Sequence, residues 1–421
     1  MYKCFDLGSY KLHCIKNNRF KETKLVVNFK RKVKKEEITL RSLLSKVLLE
    51  STKNYPTSRL MAIKTEELYN SMLGSSSYLS GSYSVISFET IFLNDVYVSD
   101  NLFEKAIDFI LDIINNPNVD DNKFDTKTFE LAKKSLKEEI ESLKDNPRRY
   151  GMLRLYQEID SNALSSYNAV GYLNDLEKIT EENLYEYYKS IFKKDIMDIF
   201  IISPNEFDEV KEMFSKKLDY KILRKKSESH FVDYNKYRSK NKIVHEKSDF
   251  EQSNLYIACK FDKLTDFERK YVSVVYSYIL GGGPSSKLFT TVREENSLCY
   301  SISSSFKGIY KFLIISAGIN AKDFKKCLSL TKKQIKDMSL GKFEEEKIDE
   351  AVITYLNSFK ELKDSSSSIL NTYISHEYFD ADLIEEREKN IKKVTKEMVI
   401  NFAKKVHIDT VYVLEGKKKD E

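Results

Sequence analysis

Histidine is a common zinc ligand, and its spacing in this chain rules out one kind of metal site. A zinc site on a single helix needs two histidines about one turn apart. No two of the five histidines lie within five residues of each other. They are His13, His230, His245, His376 and His407. This spacing excludes a helical two-histidine zinc pair. It leaves open a site assembled from distant residues, although isolated histidines are more often surface or packed residues than ligands.

Other common catalytic motifs are missing as well. The five cysteines are odd in number, irregularly spaced and without a C-x-x-C pair, which argues against a disulfide framework and a cysteine zinc site. They are Cys4, Cys14, Cys259, Cys299 and Cys327. The chain has no G-x-S-x-G motif, and its Gly281–Gly283 run lacks the Lys-Ser/Thr pair of a phosphate-binding loop.

One segment combines residues that could bind a peptide. Residues 280–300 read LGGGPSSKLFTTVREENSLCY and contain Gly281, Gly282, Gly283, Arg293 and Tyr300. A guanidinium offers several donors in a fixed geometry, a tyrosine hydroxyl adds another, and glycines allow close backbone approach. Such donors can hold an extended peptide and polarise a carbonyl that becomes an oxyanion. From the residues alone, the alternative remains that Arg293 is a solvated charge and Tyr300 is a core aromatic.

Long helices and short strands must position these residues, because glycine and proline are scarce. Apolar residues at helical spacing predict a helix over 39–52, and the same test predicts helices over 103–114, 129–143 and 147–161. A high content of Val, Ile and Phe predicts strands. The predicted strands cover residues 11–16, 23–29, 197–203 and 253–260.

An internal repeat sets the predicted architecture. LAKKSLKEEIESLKD at 131–145 resembles EAVITYLNSFKELKD at 350–364. Two further pairs, at 103–110 with 324–331 and at 56–60 with 284–288, follow in the same order. We therefore predict an α+β fold of two homologous halves, each a mixed or antiparallel sheet covered by long helices. The predicted halves are residues 1–213 and 250–421, joined by a Lys-rich linker at 214–249.

The composition indicates a water-soluble globular protein, with 41% hydrophobic and 32% charged residues. The net charge of +5 is small and dispersed, which argues against nucleic-acid binding. The most apolar stretch, 196–203, is interrupted by Asp198 and is far too short to span a membrane. The N-terminal residues have no run long enough for a signal-peptide core. We therefore expect a cytoplasmic protein without a membrane partner.

The first half resembles the pitrilysin/insulinase-like zinc metallopeptidases. In that family a long helix carries H-x-x-E-H, followed by a Tyr-Pro landmark that is present here at Tyr55-Pro56. The three motif positions fall on Ser42, Ser45 and Lys46, none of which can replace a zinc ligand or the catalytic glutamate. The third ligand of the family corresponds to Glu139, which we interpret as a relic on a solvated helix. No zinc or other cofactor is expected in this chain.

The second half resembles the C-terminal substrate-binding segment of the same family, over about twenty consecutive residues. The resemblance assigns peptide binding to Arg293 and Tyr300, next to the glycine run. It also implies a bacterial two-chain branch in which one chain carries H-x-x-E-H and zinc, while the other lacks the motif. This chain resembles the inactive subunit, and most closely the one associated with modification of elongation factor P.

The implied function is that of a non-catalytic subunit, inactive alone, which binds peptide or unfolded protein for a homologous active chain. The alternative is a peptide-binding or scaffold protein with no role in proteolysis, like the family's relatives in the respiratory cytochrome bc complex. A lone peptidase with an unusual site is the third possibility, against which the histidine spacing argues.

Overall fold

The computed structural model describes residues 1–218, 227–232 and 236–417, which contain three sheets. In chain order the strands are β1 (Tyr2–Asp6), β2 (Tyr10–Lys16), β3 (Glu22–Lys32), β4 (Met72–Ser80), β5 (Tyr83–Leu93), β6 (Val119–Asp120), β7 (Lys123–Phe124), β8 (Ile196–Ser203), β9 (Lys242–Lys247), β10 (Ser253–Phe261), β11 (Cys299–Lys307), β12 (Phe312–Ile319) and β13 (Val406–Glu415). One sheet has six strands in the order β1-β2-β8-β3-β5-β4, one has five in the order β11-β12-β10-β13-β9, and β6 and β7 form a small hairpin.

Helices account for most of the remaining chain. They are α1 (Ile38–Glu50), α2 (Ser58–Glu67), α3 (Leu102–Asn115), α4 (Thr126–Glu141), α5 (Pro147–Ile159), α6 (Leu173–Leu176), α7 (Glu181–Lys194), α8 (Phe207–Lys217), α9 (Ser273–Ser277), α10 (Phe324–Ser339), α11 (Glu346–Lys363), α12 (Ser366–Phe379), α13 (Ile384–Ile391) and α14 (Lys396–Lys404). Three segments near α9 are π-helical, namely Glu268–Val272, Tyr278–Gly282 and Phe289–Glu294.

The chain forms two compact units, each built from three segments. Unit 1 consists of Met1–Ser142, Asn168–His230 and Lys363–Tyr378, and contains the six-stranded sheet. Unit 2 consists of Leu143–Tyr167, Phe231–Leu362 and Phe379–Glu421, and contains the five-stranded sheet. Each unit therefore includes one helix from the opposite half of the sequence, α12 in unit 1 and α5 in unit 2.

Unit 1 is a mixed sheet with a large apolar core on one face. β2 and β8 pair in parallel and the other neighbouring strands pair antiparallel. The apolar stripe of α1 is buried in this core together with one face of α3, α4 and α7. Burial of these four faces, rather than helix propensity, supplies most of the stabilisation of the helices.

The opposite face of the unit 1 sheet is covered by α12 through polar and aromatic contacts. The amide of Asn28 donates to the hydroxyl of Tyr378 at 3.0 Å, and the ammonium of Lys11 pairs with Glu377 at 2.6 Å. The Lys30 ammonium lies 3.7 Å from the Tyr378 ring centroid and 2.8 Å from a carboxylate oxygen of Asp198. Both Lys30 and Asp198 are fully buried, so their mutual pairing offsets a large desolvation cost.

Unit 2 is also a sheet covered by helices on both faces, but different contacts cover its second face. Its sheet is antiparallel except for the parallel pair β9 and β13. The main core is apolar, and α5 covers the other face with Leu155 and Ile159. A Cβ atom at Gly151 would lie 2.4 Å from the ring of Tyr256, so only glycine lets α5 approach the sheet this closely. Glu246 also accepts hydrogen bonds from Tyr150 and Arg154 of α5.

The predicted α+β fold, with two homologous halves of helix-covered sheet, is confirmed. The helices predicted over 39–52 and 129–143 correspond to α1 and α4, and the predicted strands correspond to β2, β3, β8 and β10. Part of the predicted linker, at 219–226 and 233–235, lies outside the described residues. Its described part includes β9, which is an edge strand of the unit 2 sheet. No helix among the described residues is both long and apolar enough to cross a bilayer.

His230 anchors the segment that follows α8 onto unit 1. Its ring stacks on Tyr83 at 4.2 Å and on Tyr378 at 4.5 Å, and its Nδ1 atom lies 3.0 Å from the hydroxyl of Ser80. Burial, assisted by the nearby ammonium of Lys30, lowers the pKa of His230 to about 3. The imidazole is therefore neutral in the folded chain at every physiological pH.

The buried pair of Lys30 and Asp198 gives a first prediction. Asp198→Ala leaves a buried ammonium without its counter-charge, so the free energy of unfolding should fall by about 3–5 kcal/mol. The double variant Lys30→Met with Asp198→Ala should lose less than Asp198→Ala alone, because no buried charge remains uncompensated. Urea denaturation of both variants checks this, and a double variant that is less stable than Asp198→Ala would contradict it.

His230 gives a prediction of pH dependence. Below pH 6.5 the unfolded chain binds a proton at His230 that the folded chain, with a pKa of about 3, does not bind. The contribution of His230 to stability is therefore complete above pH 6.5 and is lost as the pH falls towards 3. Between pH 7.5 and 5.5 the wild type should lose about 1.4 kcal/mol more than His230→Phe, which keeps the stacked ring without the titration. Equal losses in urea denaturation would show that His230 does not titrate in this way.

Candidate functional site

Helix α1 carries the positions at which the zinc motif was expected to be degenerate. Ser42 and Ser45 are buried, and their hydroxyls are used in bonds to the backbone. Ser42 donates to the carbonyl of Ala169 at 3.3 Å, and Ser45 donates to the carbonyl of Ser42 at 2.9 Å. Ser75 on β4 donates in turn to the carbonyl of Ser45 at 2.8 Å. These hydroxyls hold α1 to its neighbours, and neutral serine oxygens are poor zinc ligands.

The other two positions, Lys46 and Glu139, form an ion pair. Nζ of Lys46 on α1 lies 2.9 Å from Oε2 of Glu139 on α4, and both side chains remain partly exposed. The predicted relic Glu139 is thus not an isolated solvated carboxylate. Its charge is balanced by an ammonium supplied by the chain itself. The residues at these four positions do not fit zinc, since the set offers one carboxylate and a positive charge that repels the ion.

A second group in unit 1 could present ligand atoms to a metal. One atom each of His13, Asp198 and Glu377 lies within 4.8 Å of the others, and His13 and Asp198 are fully buried. The ammonium groups of Lys30 and Lys11 already pair with the two carboxylates, at 2.8 Å and 2.6 Å. A divalent cation would therefore add two uncompensated positive charges to a buried cluster, which is unfavourable. The arrangement is that of an ion-paired contact between the sheet and α12.

The glycine run in unit 2 packs against its own sheet. A Cβ atom at Gly281 would lie 2.8 Å from the backbone nitrogen of Ser304 on β11, and one at Gly283 would lie 2.8 Å from the ring of Tyr278. Gly281 and Gly283 are buried, whereas Gly282 is exposed. Gly281 thus allows a helix end to approach the edge strand closely, and Gly283 leaves room for the ring of Tyr278. Backbone contact with a substrate at these glycines stays a prediction.

Arg293 is presented on the π-helix Phe289–Glu294. Its side chain is exposed, and the guanidinium carbon lies 4.5 Å from the ring centroid of Phe289. Among the residues that the structure describes, no carboxylate forms an ion pair with Arg293 and no acceptor receives a hydrogen bond from it. All five N–H donors of the guanidinium are therefore available to a ligand.

Tyr300 is exposed because of a β-bulge. Cys299 pairs with Ile319 and Ser301 pairs with Gly318, so Tyr300 is the extra residue between two ladder positions. A bulge reorients a side chain, and the ring of Tyr300 is 68% exposed. Its hydroxyl has no hydrogen-bond partner within the described ranges. The interpretation of Tyr300 as a core aromatic is therefore wrong.

A short, well-bonded turn links Arg293 to Tyr300. The backbone N–H of Ser297 donates to the carbonyl of Arg293, and that of Leu298 donates to the carbonyl of Val292, both at 3.0 Å. Ser297 has a φ of +51°, and Val292 and Leu298 are buried in the core. This turn fixes the positions from which the two donors project, so both are preorganised within unit 2.

Two strands next to these features are edge strands of their sheets. β4, which α1 contacts through Ser45, ends the unit 1 sheet, and β11, which contains Tyr300, ends the unit 2 sheet. In the described parts of the chain, neither strand has a second strand partner. Each could therefore accept an added strand from an extended peptide.

The sequence did not predict the bulge, although one signal for it is present. Residues 298–302 read LCYSI, in which two buried residues are followed by two exposed residues and then a buried one. This break in the alternation of a strand is typical of a bulge. The contact between Phe289 and Arg293 was also missed, and their spacing of four residues within a helix could have indicated it.

The chain resembles known proteins over most of its length. Residues 178–355 match the family model described as the peptidase M16 inactive domain. Over 415 residues the chain is 28% identical to the probable inactive metalloprotease YmfF of Bacillus subtilis (strain 168), with 97% of this chain and 96% of that protein covered.

Two solved structures share the fold. A conserved protein from Enterococcus faecalis V583 matches with a TM-score of 0.92 and 25% identity, and both chains are covered completely (100% each). A peptidase M16 inactive domain from Pseudomonas fluorescens matches with a TM-score of 0.80 and 16% identity, covering 100% of this chain and 99% of that one. Both likenesses include unit 1 and unit 2.

The geometry of α1 and α4 predicts that a zinc site can be restored. In Ser42→His with Lys46→His, two imidazoles would lie one helical turn apart and Glu139 would be released from its ion pair. We expect the double variant to bind about one equivalent of Zn²⁺, measured by atomic emission after dialysis. Adding Glu139→Gln should weaken that binding by more than the about 10- to 100-fold that loss of an outer-shell partner costs, because a direct carboxylate ligand is replaced by a neutral amide. Failure of the double variant to take up zinc, with its fold intact by circular dichroism, would show that Glu139 does not point towards α1 as a ligand.

Proposed function

Because the chain is a pitrilysin-like (M16) peptidase homologue of the inactive type, we propose that it is the non-catalytic subunit of a heterodimeric zinc peptidase. In this proposal it binds the peptide substrate for a homologous chain that carries H-x-x-E-H. The zinc of that partner chain would activate water and polarise the scissile carbonyl. This chain contributes binding and orientation of the peptide.

The single observation that carries the proposal is the contrast between the two sites. At the position of the zinc motif, every polar side chain is consumed by the fold, in backbone hydrogen bonds or in the pair of Lys46 with Glu139. In unit 2, Arg293 and Tyr300 are exposed and preorganised, and the described residues neither pair with nor bond to their polar ends. A scaffold has no physical need to keep two such donors free.

The mode of binding follows from the donors and the open edges. An extended peptide presents one carbonyl per residue, and β11 can accept it as an added strand through main-chain hydrogen bonds. Arg293 can then donate two parallel hydrogen bonds to a carbonyl or carboxylate of the peptide, and Tyr300 can donate a third. Binding through the backbone is largely independent of side chains, which suits peptides or unfolded proteins as substrates.

We expect the protein to work in the cytoplasm, with zinc bound by the partner and none by this chain. The link to modification of elongation factor P stays a prediction. Native purification of the tagged chain from its own cells tests the partnership directly. We expect a second chain of similar size bearing H-x-x-E-H in equal amount.

The alternative function is a peptide-binding or scaffold protein without a role in proteolysis. It predicts that the chain purifies without an active partner. Binding of an unfolded protein in the absence of any partner would favour the peptide-binding form, and no binding at all would favour the scaffold.

Arg293 gives the test of the proposed role in the heterodimer. Arg293→Ala removes a charged donor to the peptide, which should reduce kcat/KM of the complex about 10- to 100-fold. Arg149→Ala is the matched control, since Arg149 is also an exposed arginine on a helix of unit 2. Peptidase assays of both complexes check this. Unchanged activity for Arg293→Ala would refute the role in substrate binding.

A further inference from the structure

Among the residues that the structure describes, one neighbour contacts the guanidinium of Arg293. The carbon at its centre lies 4.5 Å from the ring centroid of Phe289, at a distance typical of a cation–π contact. Neither a carboxylate nor a carbonyl of the described chain holds the guanidinium in place. An exposed arginine without partners samples many rotamers, and restricting them costs free energy when a ligand binds.

The helical spacing explains why these two side chains meet. Phe289 and Arg293 are four residues apart within the π-helical segment Phe289–Glu294. A π-helical turn closes its hydrogen bonds over five residues, and side chains four apart lie on the same side of it, as they do in an α-helix. One such bond, from the N–H of Glu295 to the carbonyl of Thr290 at 2.9 Å, holds this turn open.

The backbone on either side of Phe289 is held in place. Phe289 is half-buried. It follows the fully buried Leu288, and the fully buried Val292 lies between it and Arg293. The chain on either side of the ring is therefore anchored in the core of unit 2. The half-buried ring, carried by this anchored backbone, offers a surface on which the planar guanidinium can rest, while the guanidinium edge with its donors stays exposed.

We infer that Phe289 is a positioning residue for substrate binding, because its ring, aligned by the π-helical turn, holds the guanidinium of Arg293 in the orientation that receives a peptide carbonyl or carboxylate. This inference rests on the proposed function and extends it to a residue that does not touch the peptide. The flat face of the ring is the necessary feature, since an aliphatic side chain of similar size has no π face to hold a cation.

Two measurements on the full-length chain test this inference. The first is the rate at which phenylglyoxal modifies Arg293, followed by peptide mass spectrometry. The second is the affinity for fluorescently labelled β-casein, used as a probe for unfolded protein. Phe289→Leu should speed the modification of Arg293 and weaken casein binding, each by about 2- to 5-fold. Phe289→Tyr, which keeps the ring, should behave as the wild type in both.

The outcomes separate this inference from the proposed function. If Arg293→Ala weakens casein binding but Phe289→Leu changes neither measurement, the positioning role is refuted and the role of Arg293 stands. If Arg293→Ala leaves casein binding unchanged, the proposed function fails, and the modification rate still decides whether Phe289 holds Arg293. Should Phe289→Leu lower the melting temperature, Phe289→Met provides a second ring-free variant with a closer side-chain volume. Faster modification in both ring-free variants supports the inference.

Discussion

Each of the two sheets has two faces to bury, and this constraint shapes the whole chain. The long amphipathic helices cover one face only, because they follow the strands directly in each half of the sequence. The other face must be covered by a separate helix, which is α12 in unit 1 and α5 in unit 2. Without that helix, the buried residues of the second face would be exposed to water, at a cost of about 25 cal/mol per Å² of apolar surface.

The two covering helices achieve burial by different chemistry. α5 packs through apolar side chains and a glycine that admits the ring of Tyr256. α12 packs over a layer that contains the fully buried pair of Lys30 and Asp198 and the neutral ring of His230. A buried ion pair adds little net stability compared with apolar packing, but it penalises any arrangement that separates the charges. Lys30 and Asp198 both belong to the sheet, so the register of α12 is set by the contacts that cross to it, Lys11 with Glu377 and Asn28 with Tyr378.

Much of this fold could be predicted from the sequence, since helical stripes, strand composition and the internal repeat each reflect local burial. Which sheet α5 and α12 each cover could not be predicted, because an apolar stripe shows that a helix is buried but not which element it packs against. The pair of Lys46 and Glu139 was missed for a similar reason. Lys46 and Glu139 were each identified as a position of the zinc motif. Their pairing was not predicted, because a Lys/Glu-rich helix offers many charged residues with which either could form an ion pair. The orientation of Tyr300 depended on a bulge, which shifts every later side chain by one position.

In the proposed role, a chain without zinc ligands on α1 can still bind a peptide through Arg293, because the two features are physically independent. A zinc ion needs three or four ligands in fixed geometry, so a single change to lysine is enough to exclude it and to leave an internal cation facing Glu139. An arginine that binds a peptide needs only a rigidly held backbone and N–H donors that are exposed to the ligand. The π-helical turn, the bonded turn at Ser297 and the bulge at Tyr300 provide these within unit 2 alone. Because none of the three involves α1, the residues at 42, 45 and 46 do not affect the geometry of the two donors.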